Sequence, residues 1–171
     1  MIIWLIGLSG AGKTTLGKKL EEYYKNLGKK TIFIDGDEVR NFFNSDLGYS
    51  KKDRTENIKR IQLATYFLSK TDLITIVCNI SPFEELRNFQ REKIDNYVEV
   101  YLKREIEECK ENDVKDMYKT NIGKTDIVGD DLQFDEPLKS DLICNTSKES
   151  IIESLKKIIA FTEQKFMEMK N

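Results

Sequence analysis

Eight consecutive residues, Gly7-Leu8-Ser9-Gly10-Ala11-Gly12-Lys13-Thr14, have the types and spacing to hold a chain of phosphates. They fit the pattern G-x-x-x-x-G-K-[ST]. Glycines let backbone N–H groups close around phosphate oxygens without a Cβ in the way, and a following helix N-terminus adds partial positive charge. Gly7, Ser9, Gly10, Ala11, Gly12, Lys13, Thr14 and Thr15 are therefore the expected nucleoside-triphosphate-binding residues, with Lys13 on the β- and γ-phosphates and the Thr14 hydroxyl on Mg²⁺. A second group follows at Asp35-Gly36-Asp37, with Arg40, Arg54 and Asn57 downstream. Arginine forks suit phosphate or sulfate oxygens, each charge-assisted bond contributing about 1.5–3 kcal/mol. A carboxylate there can take the proton of an attacking hydroxyl. The chain has no histidine, so a general base must be a carboxylate, a lysine or another group.

The elements that position these residues are legible in the pattern. The apolar run Ile2–Ile6 reads as a buried strand feeding the loop, and Leu16, Leu20, Tyr23, Tyr24 and Leu27 mark the helix leaving it, with Gly28 at its C-cap. Thr31–Ile34 is a second strand, and its carboxyl end carries Asp35 and Asp37, where ligands of parallel sheets gather. A short helix opens at Glu38, and Ser50 caps a longer one to about Lys70, with Ile58, Ile61, Thr65 and Leu68 as its core stripe. Leu73–Cys78 reads as a third strand, Glu84–Ile94 as a charged helix with Arg87 and Arg91, and Tyr97–Leu102 as an alternating fourth strand. A helix over about 104–111 follows. The aperiodic stretch 112–137 reads as a mobile lid over the nucleotide. Asp141–Cys144 is a fifth strand, and Thr146-x-x-Glu149 a capping box for a last helix with Ile151, Leu155, Ile158, Ile159 and Phe166. Strands alternating with helices predict a single α/β domain over 1–171, a five-stranded parallel sheet with helices on both faces.

Composition narrows the class. With 171 residues, 39% hydrophobic and 34% charged, the chain suits one soluble domain. A net charge of −2 with interspersed lysines and arginines argues against a nucleic-acid partner. No stretch approaches the ~20 apolar residues of a membrane span, and the N-terminal apolar run lacks the flanks of a signal peptide. Cys78, Cys109 and Cys144 lack metal spacing and read as buried reduced thiols of a cytoplasmic protein. A GTPase would show a guanine-reading N-K-x-D, and a motor ATPase an apolar strand ending in Asp-Glu; neither is present.

Taken together, Gly7–Thr15, Asp35-Gly36-Asp37-x-x-Arg40, Asp46-Leu47-Gly48-Tyr49-Ser50, Asp53-Arg54-x-Glu56-Asn57-Ile58-x-Arg60, Ile80-Ser81-Pro82-Phe83 and Asp113-Val114-Lys115-x-x-Tyr118-Lys119 resemble the adenylylsulfate (APS) kinase family over nearly the whole chain. The resemblance implies a P-loop kinase that phosphorylates the ribose 3′-hydroxyl of a nucleotide carrying sulfate in mixed anhydride, with MgATP as donor. It implies Asp37 and Lys13 as catalytic residues and Asp35 with Thr14 beside the metal. It also implies Arg40, Tyr49, Arg54, Asn57, Ile80, Ser81, Lys115 and Ile127 at the acceptor, and a possible homodimer. Tyr49 replaces a phenylalanine that stacks on the acceptor base.

Departures from the family pattern cluster at Thr125–Pro137. A phenylalanine that closes the second face of the base sandwich is Ile127, a lysine is Thr125 with Lys124 beside it, and a lid arginine is Asn112. Losing one stacking partner removes about 1–3 kcal/mol of base binding. This pattern favours cytidine diphosphoramidate, the acceptor of a related branch in capsule phosphoramidate synthesis. Adenylylsulfate is the alternative, and a non-catalytic ATP sensor the alternative of another class.

Overall fold

In the computed structural model, which describes residues 1–44, 46–111, 127–129 and 132–168, the chain builds a five-stranded sheet. Strand β1 (Ile2–Ile6) is apolar at every position and wholly buried. Only a central strand covered on both faces accommodates that pattern. β1 lies between β3 (Ile74–Cys78) and β4 (Tyr97–Lys103), with β2 (Thr31–Asp35) and β5 (Leu142–Asn145) at the edges, in the order β2-β3-β1-β4-β5. Every pairing is parallel.

The alternation of side chains along β1 divides the core. Ile3 and Leu5 pack with Leu16, Leu20 and Tyr24 of α1 (Lys13–Asn26) and Ile158 of the last helix, α6 (Ile151–Glu168). Ile2, Trp4 and Ile6 face the other way, against Ile61 of α3 (Lys51–Leu68). The remaining helices are α2 (Gly36–Phe42), α4 (Glu84–Lys93) and α5 (Ile106–Glu111). The expected architecture is therefore present, with element ends displaced by one to three residues.

Two local expectations are corrected. The box over α6 is Ser150-x-x-Glu153, not Thr146-x-x-Glu149: Ser150 Oγ accepts the Glu153 N–H at 3.2 Å, and Glu153 Oε2 accepts the Ser150 N–H at 2.8 Å. Thr146 donates instead to the Ala11 and Lys103 carbonyls at 3.1 and 3.3 Å, tying the chain after β5 to the phosphate loop. β4 does not alternate between core and solvent, because its middle five residues are all buried. Among them is Glu99, whose carboxylate takes Arg91 at 2.5 Å and the Tyr97 hydroxyl at 3.0 Å. Of the expected lid, 112–126 and 130–131 lie outside the described residues, while Ile127, Val128 and Leu132 pack against the body. Among the described residues no helix is long and apolar enough to cross a membrane.

Candidate active site

The register of the sheet brings three strand ends to one level. Leu5 pairs with Cys78, and Cys78 with Asp35, so the loop after β1, the Asp35 corner and Asn79-Ile80 share one edge. A cavity of about 440 Å³ opens there, lined by the loop residues Ser9 to Thr15 and by both groups of candidate residues.

In the phosphate loop, Gly10 has φ 80° and lies against α5, where a Cβ would stand 2.7 Å from the Cys109 carbonyl oxygen. Gly12, φ 95°, is the N-cap of α1 and supplies no side-chain cap. The first N–H groups of α1 therefore face the cavity uncapped by a side chain, an arrangement made for an anion. Lys13 Nζ curls over the loop and donates to the Gly7 and Leu8 carbonyls at 3.0 and 2.6 Å. Gly7 itself stays out of the cavity lining and donates its N–H to Ile80 O at 3.5 Å. Cys109, beneath the loop, is a neutral thiol whose pKa burial pushes up to about 11.

Asp35 works with both oxygens. Oδ1 accepts the Asp37 N–H at 3.0 Å and caps α2, while Oδ2 accepts the Thr14 hydroxyl at 3.0 Å. The cap and the Thr14 contact are thus one side chain spanning β2, α2 and α1. Asp35 and Asp37 both line the cavity. Thr14, Asp35 and Asp37 offer hard oxygen donors, and no group of three or more histidine, cysteine, aspartate or glutamate side chains forms a metal cage among the described residues. This donor set fits Mg²⁺, which keeps water and phosphate ligands and needs only one or two carboxylates.

Beyond Asp37 the cavity is walled by two buried arginines. Arg40, 6% exposed, donates from Nη1 to the Leu47 carbonyl at 3.2 Å and to the Gly48 carbonyl, with its guanidinium 4.7 Å from the centre of the Tyr49 ring. Arg54 donates from Nε to the Tyr49 carbonyl at 2.8 Å and lies 5.3 Å from the same ring. Asn57 on α3 gives Nδ2 to the Gly36 carbonyl at 2.9 Å. Arg40 Nε and Asn57 Oδ1 are buried without a hydrogen-bond partner among the described residues, although both side chains line the cavity. Arg60 is elsewhere: it forks onto Asp46 at 2.8 and 2.6 Å and covers Phe43, bracing the loop that carries Tyr49.

Ile80 lines the cavity, whereas Ser81 is buried just behind it. Ile127 is half-buried against the core cluster and does not line the cavity, so Tyr49 has no second ring or alkyl face from that position. Lys115 lies outside the described residues. On the other side of the phosphate loop, the cavity also takes in Arg104, Thr146 and Ile151, none of which sequence reading placed at the site. They follow the carboxyl ends of β4 and β5, and the rule that selected Asp35 would have found them. Ile151, expected in the core stripe of α6, is 48% exposed at this rim.

Known proteins share this sequence pattern and fold. A family model described as adenylylsulphate kinase matches residues 1–145. The chain is similar to the adenylyl-sulfate kinase of Halothermothrix orenii, 39% identical over 165 residues that cover 95% of this chain and 89% of that one. It superposes on the Mycobacterium tuberculosis APS kinase CysC in complex with AMPPNP and APS with a TM-score of 0.86 and 30% identity, covering 95% and 96% of the two chains. Shikimate kinase from Acinetobacter baumannii, at 18% identity and a TM-score of 0.59 over 95% and 93% of the chains, shares the P-loop kinase fold alone. The loop, the paired aspartates and the arginine wall thus stand in a fold common to phosphotransferases, and the chain belongs to the adenylylsulphate kinase family.

Proposed function

We propose that this kinase transfers the γ-phosphoryl group of ATP to the ribose 3′-hydroxyl of adenylylsulfate. The observation that carries the reading is the one cavity in which the phosphate loop, Asp37, Arg40, Arg54 and Asn57 meet. The relatives named adenylyl-sulfate kinase support this acceptor over the cytidine diphosphoramidate favoured from sequence. That preference rested on the absence of the family's phenylalanine at Ile127, which leaves Tyr49 as a one-sided platform for the base.

In this reading the uncapped N-terminus of α1 and Lys13 hold the β- and γ-phosphates. Lys13 leaves its loop carbonyls to do so. Thr14 and Asp35 hold Mg²⁺, which draws charge from the phosphate oxygens when bound. Arg40, Arg54 and the Ile80–Ser81 backbone fix the acceptor, and Tyr49 stacks on its base. Asp37 accepts the 3′-hydroxyl proton as the new O–P bond forms and the bond to the β,γ-bridging oxygen breaks, releasing ADP.

Cytidine diphosphoramidate stands as the second reading, favoured by Tyr49 being the one aromatic residue lining the cavity among the described residues. A smaller base loses less from a one-sided platform. The deciding experiment offers adenylylsulfate and cytidine diphosphoramidate with MgATP and scores 3′-phosphorylated product by ³¹P NMR. We expect kcat/KM for adenylylsulfate to be higher by at least about tenfold, a difference of ~1.4 kcal/mol. The opposite ratio moves the assignment to the cytidine compound, and turnover of neither overturns the nucleotide 3′-kinase reading.

A further inference from the structure

Arg87 lies in the first turn of α4 and is 2% exposed, where a long cation needs acceptors at its guanidinium; both of its Nη atoms are bonded, while Nε has no partner among the described residues. Its Nη1 donates to the Ser81 carbonyl at 2.7 Å. Its Nη2 donates to the Asp135 carbonyl at 2.7 Å and to Glu84 Oε2 at 2.5 Å. Glu84 is shared with Arg91 at 3.5 Å, and Arg91 reaches the buried Glu99 at 2.5 Å, so the charge is balanced within the protein.

Ser81 is what separates this contact from ordinary packing. It is a non-glycine residue at φ 49°, and it precedes Pro82, which restricts its backbone further. All of its polar groups are engaged. Its N–H donates to Asn79 Oδ1 at 3.1 Å, its hydroxyl accepts the Trp4 indole N–H at 3.0 Å, and its carbonyl accepts Arg87. A strained backbone held from every side, next to a cavity-lining residue such as Ile80, is a mark of a functional corner. Asp135 approaches the same corner from 48 positions beyond Arg87 along the chain. Its N–H donates to the Pro82 carbonyl at 2.9 Å, and its Oδ2 accepts the Glu84 N–H at 3.0 Å, capping α4 where Phe83 supplies no side-chain cap.

We propose that Arg87 is a positioning residue for the acceptor nucleotide: its one guanidinium clasps the Ser81 corner to the Asp135 turn, so that the Ile80–Ser81 backbone meets the acceptor in a single geometry. The proposal rests on the reading of Ile80–Ser81 as acceptor-binding backbone. It assigns Arg87 no contact with ATP or with the reacting atoms.

The test compares the wild-type protein with Arg87→Met, which removes every donor, and Arg87→Lys, which keeps the charge but cannot span three acceptors. With adenylylsulfate and ATP, the methionine variant should raise acceptor KM by about tenfold or more and leave ATP KM within about twofold, with the lysine variant between. Equal movement of both KM values, or a lower Tm with acceptor KM unchanged, overturns the proposal. Should Arg87→Met fail to fold, Arg87→Lys carries the comparison. Hydrogen exchange supplies a readout that needs no acceptor. The Asp135 and Glu84 amides should exchange about tenfold faster in Arg87→Lys while those of β1 are unchanged, and unchanged exchange at both amides overturns the clasp. A wild-type protein inactive on both adenylylsulfate and cytidine diphosphoramidate refutes the acceptor reading alone, and the exchange result then decides for Arg87.

Discussion

Asp35 and Asp37 stand two residues apart, yet their surroundings divide the work between them. Asp35 is held at both oxygens, by the Asp37 N–H and by the Thr14 hydroxyl, which suits a group that orients a metal and its waters. Asp37 lies in the first turn of α2 and lines the cavity on the side of Arg40 and Tyr49. Asp37→Asn keeps the shape but accepts no proton, so kcat should fall by about 10²–10⁴-fold with little change in ATP KM. Asp35→Asn retains a good helix cap, and its expected signature is a higher Mg²⁺ requirement with stability unchanged. Titrating Mg²⁺ against initial rate in both variants checks the division. A raised Mg²⁺ requirement in Asp37→Asn with kcat intact would exchange the two roles.

Among the helices, α1 shows how packing overrides propensity. Its C-terminus is ended by local chemistry: Gly28, φ 72°, donates to the Lys25 carbonyl at 2.9 Å and Lys29 to the Tyr24 carbonyl at 3.0 Å, the paired bonds of a Schellman motif. Its middle is decided by the neighbouring strands. A Cβ on Gly17 would stand 2.5 Å from Cys78 Sγ and 2.9 Å from the Phe33 ring, so the glycine lets α1 lie close on β2 and β3. Alanine at a helix interior is ordinarily better than glycine by ~1 kcal/mol. Here overpacking of about 1–3 kcal/mol opposes that gain. Gly17→Ala should therefore lower stability by up to about 2 kcal/mol in urea unfolding, and Cys78→Ala in the same chain should restore part of the loss. Additivity of the two substitutions would show that the thiol is not the obstacle.

At the scale of the whole molecule, the three cysteines are all buried and free, each on a different element of the nucleotide-side core. Burial pushes the pKa values of Cys109 and Cys144 from 9 up to about 11. Only about one thiol in a thousand is then ionised at pH 8. A thiol reagent at pH 8 should label the native protein slowly at these two positions and label all three cysteines rapidly after denaturation. The same shift has a sign for stability. A folded pKa raised above the unfolded value contributes stability that is complete below pH 9 and lost as pH rises through about 11. Urea midpoints should decline over that interval, and rapid native-state labelling at pH 8 would refute both expectations.

The local chemistry of the chain was readable without coordinates. Gly7–Thr14 specifies its loop because glycine spacing, lysine and threonine act over a few ångströms of contiguous backbone. Strand β1 is recognisable because an all-apolar run can only be central, and Ser50 as a cap because its bond to the Asp53 N–H, at 3.2 Å, is local. Charged helices misled for the opposite reason. Arg87 reads only as one charge of a polar helix, and its role shows once Ser81 and Asp135 are brought against it. Ile127, expected beside the acceptor base in place of an aromatic ring, is half-buried against the core cluster and outside the cavity lining. Ile151 matches the core stripe of α6, yet it lies at the cavity rim, while Ser154 and Thr162 on the same helix are buried. Contacts between residues close in sequence are set by their types and spacing, so the sequence alone determined the phosphate loop and the strands and helices around it. Which side chains line the acceptor cavity depends on partners tens of residues away, and only the packing of the sheet and its helices decided that.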